Sequence, residues 1–398
     1  MILYQSAILL VLIFFFAMLL WNLGSFRSIR VVSTTPSGKE APLVSVLVPA
    51  RNEAHRITPC AASLLRQNYP NYEVLILDDN SEDGTAQVLE DLGYRHGEEG
   101  CFRILTGEPL PPGWTGKGWA CHQLARAATA AQGEYLLFLD ADTEQTPEML
   151  ASAIALARES GADLLSAWPY LKAGSWSEKL VLPMIHLSLV FYPHALWQRL
   201  QRTPSRIAAL PRSIRRGFGA ANGQFLLFRR EAYEKIGGHA AQKGHLVEDV
   251  ALGRAIANRA GEGMRLINCD GTPIANVRMY TCFAEVWEGF TKNIRAAFEG
   301  SVGLYIGTGV MMTAVFFLPF VWIWLLEGAA FRLVAAQIGL IYLIRTVLMF
   351  RFRTPWLGTL LHPVGQFLCT TIALNSWRKS VGPGVTWKGR LYEVIHPE

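Results

Sequence analysis

The sequence predicts an α/β protein with a mainly parallel sheet, joined to membrane-crossing helices near both ends of the chain. Three observations lead there. Short apolar runs alternate with amphipathic stretches between residues 43 and 167. Long apolar runs stand near each end. Charged residues make up only 17% of the chain, against roughly 25% for a soluble domain, and the two apolar ends account for the deficit.

Residues Ala7 to Leu23 are almost wholly apolar, and with Ile2–Tyr4 before them they reach the roughly 20 residues that a bilayer span needs. A cleaved signal peptide would want a basic stretch in front and small residues behind. Neither is present, and Trp21 and Phe26 stand where the small residues would be. The expectation is an anchor over residues 1–26 whose C-terminal end is cytoplasmic, because Arg27 and Arg30 follow it. Ser33 to Pro42, rich in Ser, Thr, Pro and Gly, reads as a linker.

Strands are expected at 43–49, 73–77, 102–105, 135–139 and 163–167. Helices are expected at 59–67, 83–92, 117–132 and 147–160, the last with Thr146 as its N-cap and Pro147 at its first position. Nearly continuous apolar strands alternating with helices imply a parallel sheet covered on both faces.

Between Lys179 and Arg230 there is no acidic residue. Residues 180–197 are apolar but carry Pro183, His186, Pro193 and His194, and arginines crowd the stretch up to Arg216. A segment lying in the membrane interface over 180–216, its arginines reaching for lipid phosphates, is expected. The alternative is a buried helix followed by a solvated basic loop. Further on, 305–326 and 333–350 read as spans, the second broken by Gln337 and Arg345. Residues 356–377 either span or re-enter around His362–Pro363. The basic residues Arg378, Lys379, Lys388 and Arg390 favour a cytoplasmic tail.

The net charge of +5 comes without a basic run interleaved with aromatics, so no nucleic-acid partner is expected. Six cysteines without a Cys-x-x-Cys pair argue against a zinc site and a disulfide framework. They read as thiols in a reducing compartment.

In an open parallel sheet, ligands bind beyond the carboxyl ends of the strands. Those ends collect polar residues here: Pro49-Ala50-Arg51-Asn52-Glu53, Asp78-Asp79-Asn80-Ser81 and Asp140-Ala141-Asp142. Read as alternate residues at a strand end, Asp140 and Asp142 face one way and can serve one site. Two carboxylates and a diphosphate suit Mg2+ or Mn2+, which take hard oxygen ligands. Glu248-Asp249 begins a helix-like stretch, where it reads either as charge at a helix N-terminus or as a general base. Gly113-Trp114-Thr115-Gly116-Lys117 fails as a P-loop, because Pro111 stands at the first glycine position and Gly118 follows the lysine. Lys117 then reads either as a phosphate contact at a helix start or as a solvated turn residue. Gly217-Phe218-Gly219-Ala220-Ala221-Asn222-Gly223 only loosely matches a dinucleotide fingerprint and follows no expected strand, so that use is rejected.

Together VSVLVPARNE (44–53), VLILDDNSEDGT (74–85), FLDADTE (138–144) and HLVEDVALGR (245–254) resemble the family 2 glycosyltransferases of GT-A fold. The resemblance covers residues 43–298. It implies a catalytic domain over 43–300, with the membrane region at 304–377 and a basic tail at 378–398. It implies inverting transfer from a nucleoside-diphosphate sugar, a UDP-hexose being the expected donor. By the same resemblance Pro49, Arg51, Glu53, Asp79 and Asp140 would contact the nucleotide sugar, beside Lys117 as the phosphate contact read above. Asp142 would hold Mg2+ or Mn2+, Asp249 would be the base with Glu248 beside it, and Asn222, Gly223 and Gln224 would lie on the acceptor side. Processive members carry Gln-x-x-Arg-Trp after the base; Lys292 and Arg295 keep two acceptor-side positions of that motif, but Ala296 replaces the Trp. That departure favours a single transfer over polymer synthesis. LPPGWTGKGWACHQLA (110–125) resembles the membrane-bound bacterial members that act on carotenoids or are associated with hopanoids. The expected setting is therefore a multi-pass protein of the cell membrane, catalytic domain in the cytoplasm, acting on a lipid. Sphingolipid or glycerolipid transfer, polysaccharide synthesis and a non-catalytic scaffold are the alternatives.

Overall fold

A computed structural model describes residues 1–33, 41–96, 102–128, 133–298 and 301–392. Most of the expected linker at 33–42 lies outside the described residues, as does the end of the helix expected at 117–132.

Helix α1 (Ile2–Ser25) opens the chain, followed by β1 (Val44–Ala50), α2 (Ile57–Leu64), β2 (Tyr72–Asp78), α3 (Thr85–His96) and β3 (Phe102–Thr106). Then come α4 (Gly116–Ala128), β4 (Tyr135–Leu139), β5 (Thr143–Gln145), α5 (Met149–Ser160), β6 (Leu164–Trp168) and β7 (Tyr170–Leu171). Short helices α6 (Trp176–Val181), α7 (Ser188–Phe191), α8 (His194–Leu200), α9 (Pro204–Ala208) and α10 (Arg212–Gly217) follow. Next are β8 (Phe225–Arg229), α11 (Arg230–Lys235), α12 (Gly238–Ala241), α13 (Glu248–Asn258), β9 (Leu266–Asp270) and β10 (Ala275–Val277). The last elements are α14 (Phe283–Ala296), α15 (Val302–Phe316), α16 (Pro319–Trp322), α17 (Gly328–Phe352), α18 (Trp356–Leu360), α19 (His362–Ser380), β11 (Val385–Trp387) and β12 (Arg390–Tyr392).

The chain divides into two compact units. One, Phe26–Lys172 with Leu196–Met279, holds a seven-stranded sheet in the order β3-β2-β1-β4-β8-β6-β9. Its strands are apolar on both faces, as both-sided burial requires. On β4, Tyr135, Leu137 and Leu139 join one core layer and Leu136 and Phe138 the other. The parallel set expected from the sequence is present as β3-β2-β1-β4. Among the described residues, seven further strands, β5 and β7 to β12, are not among the five expected ones. Strand β8 runs antiparallel between β4 and β6, and β9 extends the sheet beside β6. Strand β10 joins β5 and β7 in a small second sheet.

Local corrections have local causes. Helix α5 starts at Met149 after Glu148, not at Pro147, and has no side-chain cap. Thr146 is held earlier, its N–H donating to Ile274 O (2.9 Å) and its carbonyl accepting from Gln67 Nε2 (2.8 Å). Asp140–Asp142 is a turn between β4 and β5, not a continuation of the strand: Asp140 O accepts from Thr143 N–H and from its hydroxyl (2.7 Å). The stretch 180–216 is no single helix. It breaks at its prolines into α6 to α10, with a 3-10 turn at Leu182–Leu187.

The other unit comprises Met1–Ser25, Ala173–Ala195 and Tyr280–Glu398. Among the described residues, three helices in it are long and apolar enough to cross a membrane: Ile2–Ser25, Val302–Trp322 and Gly328–Phe352. Two of their interior polar side chains bond within the unit. Gln337 Nε2 donates to Gln5 O (2.7 Å) and Gln5 Oε1 (3.0 Å), joining α17 to α1. Arg345 donates to Pro183 O and Gly358 O, each at 3.0 Å. The third expected segment breaks at Leu361 into α18 and α19. Beyond it, the basic stretch folds as the β11–β12 hairpin.

Candidate active site

The site is built at the carboxyl ends of β1, β2 and β4 and at the starts of α4 and α13. On the nucleoside side, Arg51 follows β1 and points its guanidinium at the turn after β2. It donates to Asp79 O and Asn80 O, both at 2.7 Å, and meets Glu82 at 3.2 Å. Both carbonyls accept from the single Nη1, while Nη2 of the planar group faces Glu82. Asn52 and Asn80 both take left-handed backbone conformations, which asparagine tolerates, and Asn52 Oδ1 accepts from Glu82 N–H (2.9 Å). Asp79 N–H donates to Ala50 O (2.7 Å), and Ser81 donates its hydroxyl to Asp78. Glu53 is buried, its N–H donating to Thr85 Oγ1 (2.8 Å). Pro49, on β1, is half-buried. The expected nucleoside residues thus form one interlocked rim, in which Arg51 shapes the loop that carries Asp79.

At the centre lies Lys117, in the first turn of α4. Its ammonium is 2.7 Å from Asp140 Oδ1 and 2.9 Å from Glu248 Oε1. Burial works to lower its pKa, but the two carboxylates outweigh it and hold the group well above the ordinary lysine range. A solvated turn residue does not describe this: the lysine joins the Asp-x-Asp turn to the Glu-Asp pair.

Asp249 is the next residue on α13, whose cap position is Val247, with no side-chain bond. Its Oδ2 accepts from Gly223 N–H at 2.6 Å and its Oδ1 from its neighbour Val250 N–H at 2.8 Å. Burial first, then the charge of Glu248, raise its carboxyl to about 6, against the pull of Lys117 and the two amides. A carboxylate poised there is suited to accept a proton near neutral pH. His239 is not a rival base. Burial pushes it down to about 3, and its Nδ1 pairs with the Tyr233 hydroxyl at 2.8 Å.

Asn222, Gly223 and Gln224 form the turn entering β8. Asn222 Nδ2 donates to Gln224 Oε1 (3.2 Å), and Asn222 N–H donates to Ser166 Oγ (2.8 Å). Lys292 and Arg295 stand on α14 and find their partners in that unit. Lys292 Nζ lies 4.5 Å from the centre of the Trp387 ring, and buried Arg295 lies against the rings of Trp377 and Tyr305.

Among the described residues, no three His, Cys, Asp or Glu side chains are gathered to hold a metal ion by themselves. The donor set at the Asp140–Asp142 turn is two carboxylates, hard oxygens that suit Mg2+ or Mn2+ when a diphosphate completes the shell. What local sequence could not reveal was the far partner of each group: Glu248 for Lys117, and the Gly223 amide for Asp249.

Residues 45–237 match the family described as glycosyl transferase family 2. Among curated proteins, the chain is 26% identical over 372 residues to a 4,4'-diaponeurosporenoate glycosyltransferase of Staphylococcus aureus, covering 88% of each chain. It is 26% identical over 260 residues to the protein of that name from Staphylococcus haemolyticus; that match spans 65% of this chain and 62% of the relative's length. Among solved structures, it is similar to the mannosyltransferase PcManGT from Pyrobaculum calidifontis, solved in complex with GDP-Man and Mn2+. The identity is 19%, the TM-score 0.50, and the alignment covers 94% of this chain and 99% of that one. That likeness supports the GT-A-like fold.

Proposed function

Since the chain is a glycosyltransferase whose residues 45–237 form a family 2 domain, we propose that it transfers a single sugar, with inversion, from a nucleoside-diphosphate sugar to a hydroxyl of a membrane lipid of carotenoid or hopanoid type. The observation that carries the reading is the Asp140–Lys117–Glu248 bridge with Asp249 beside it, held by main-chain amides and raised to about 6.

In this reading the acceptor oxygen attacks C1 of the sugar as Asp249 takes its proton. The bond from C1 to the diphosphate oxygen breaks, and the nucleoside diphosphate leaves with the electron pair. Arg51 shapes the rim that receives the nucleoside, with Pro49, Glu53 and Asp79. Lys117 offsets part of the charge of Asp140 and Glu248, so that the negative diphosphate meets less repulsion. Asp142, with Asp140, would hold a divalent ion, which when bound neutralises charge on the leaving group. Gln224, Asn222 and Gly223 stand beside the base, on the acceptor side.

Single transfer is supported by Ala296, which stands where processive enzymes have Trp. The lipid acceptor is supported by the three helices of membrane-crossing length and by the activity for which the staphylococcal relatives are named. A UDP-hexose remains the expected donor, and the catalytic unit is expected to face the cytoplasm, where nucleotide sugars are made.

The test is release of nucleoside diphosphate from a panel of nucleotide sugars in membranes, with and without Mg2+ or Mn2+. Asp249→Ala and Asp142→Ala should both lose release. Parent-like release by either would sink its assigned role. Lipid profiling of a deletion strain names the acceptor, and loss of a glycosylated sphingolipid or glycerolipid instead would redirect the reading.

A further inference from the structure

We propose that Gly223 is the positioning residue of Asp249, and that the glycine-spaced run 219–223 serves to lay its backbone along α13. The inference rests on reading Asp249 as the base.

Both oxygens of the Asp249 carboxylate are held by main-chain N–H groups, Gly223 at 2.6 Å and Val250 at 2.8 Å. The Val250 bond is local to α13. The Gly223 bond is not: it ties the base to a separate strand-entry turn. A Cβ at residue 223 would lie 2.8 Å from Asp249 Oδ2 and 3.1 Å from its Cγ, so a side chain there displaces the carboxylate it now orients. The backbone of Gly223 is not left-handed; the demand for glycine is one of space.

The same close approach recurs further along α13. A Cβ on Gly253 would meet Gly219 O at 2.5 Å and the Cβ of Ala221 at 3.0 Å, and a Cβ on Gly219 would run into the backbone of Arg254. The segment therefore touches α13 at Arg254, Gly253 and Asp249 in turn. Its other side is pinned to the sheet. Asn222 N–H donates to Ser166 Oγ on β6 (2.8 Å), and Asn268 Nδ2 on β9 donates to Ala220 O (2.8 Å). The position of the base is thus set by β6 and β9 through a glycine-spaced strap. This accounts for Gly219 and Gly223, which no dinucleotide-binding role explains.

The experiment is Gly223→Ala, Asp249→Ala and the double variant in purified full-length protein. Moving a reacting group by an ångström costs about 10²-fold, so Gly223→Ala should lose kcat on that scale while the donor KM stays within about twofold, the pattern of an interaction felt in the transition state. Its loss of Tm should shrink in the Asp249→Ala background, because the clash needs the Asp249 side chain. Parent-like kcat in Gly223→Ala, or the same Tm loss in both backgrounds, overturns the inference. Full activity in Asp249→Ala overturns the base reading instead.

Discussion

Lys117 and Glu248 form a 2.9 Å ion pair, and the residue after Glu248 turns to a different set of partners. Glu248 is committed to the ammonium, whereas Asp249 is bonded to the amides of Gly223 and Val250. Two adjacent carboxylates are in this way assigned unequal tasks. One is neutralised by salt-bridging, and the other keeps a raised pKa and an accepting role. The same separation of paired acids by environment recurs across acid–base enzymes.

The first consequence is a pH profile. Activity requires deprotonated Asp249, whose carboxyl is raised to about 6. As pH falls through that value the base takes up a proton and is lost. The rate kcat/KM should fall about tenfold per unit below pH 6 and level off above it. An Asp at its ordinary value would keep the profile flat down to about pH 4. Nucleoside diphosphate release measured between those limits separates the two.

Lys117→Met should shift that limb. The ammonium favours the charged form of Asp249 and also balances Asp140 and Glu248. Without it, the Asp249 carboxyl rises further, so the acid limb moves to higher pH. We expect kcat/KM at neutral pH to fall by about 10²-fold, within the usual range for a preorganised charged group. Lys117→Arg should restore the position of the limb more than the maximal rate, because a planar fork replaces a point charge.

Arg51→Lys should act on the donor. An ammonium carries the charge but lacks the planar geometry that sets Nη1 on Asp79 O and Asn80 O at 2.7 Å while Nη2 meets Glu82. The donor KM should rise several-fold with kcat nearly intact, and nucleotide titration should show the same loss. Equal falls in kcat and kcat/KM would instead place Arg51 in the chemical step.

Arg345→Met tests the unit that carries the long apolar helices. It leaves the carbonyls of Pro183 and Gly358 without their 3.0 Å donors. Each buried group so orphaned costs about 1–3 kcal/mol. A clear fall of Tm in detergent is expected, with the KM for the donor unchanged.

The strand ends were legible because apolar runs stop abruptly at Arg51, Asp78 and Asp140, and local pattern is enough to see that. Strand β8 was not. Its five residues, Phe225–Arg229, sit between a glycine-rich turn and paired arginines, and what makes them a strand is pairing with β4 and β6, far away in sequence. The local pattern gives Asp140 and Asp142 as alternate residues at a strand end, but the Thr143 bonds to the Asp140 carbonyl fold them into a turn. Gln337 and Arg345 looked like interruptions of a span. Their partners, Gln5, Pro183 and Gly358, explain them, and no local pattern announces those contacts.

The two units are interleaved along the chain, with boundaries after Ser25, Lys172, Ala195 and Met279. A clone trimmed to residues 26–279 would still contain 173–195, a piece whose own partners had been cut away. Strands β8 and β9 emerge from the ribosome after that piece, so the sheet cannot be completed until it has been made. Secretion-style shortcuts to a soluble enzyme therefore call for replacing an internal loop as well as deleting the ends. Truncated versions for crystallisation or screening should be planned around three cuts, not two.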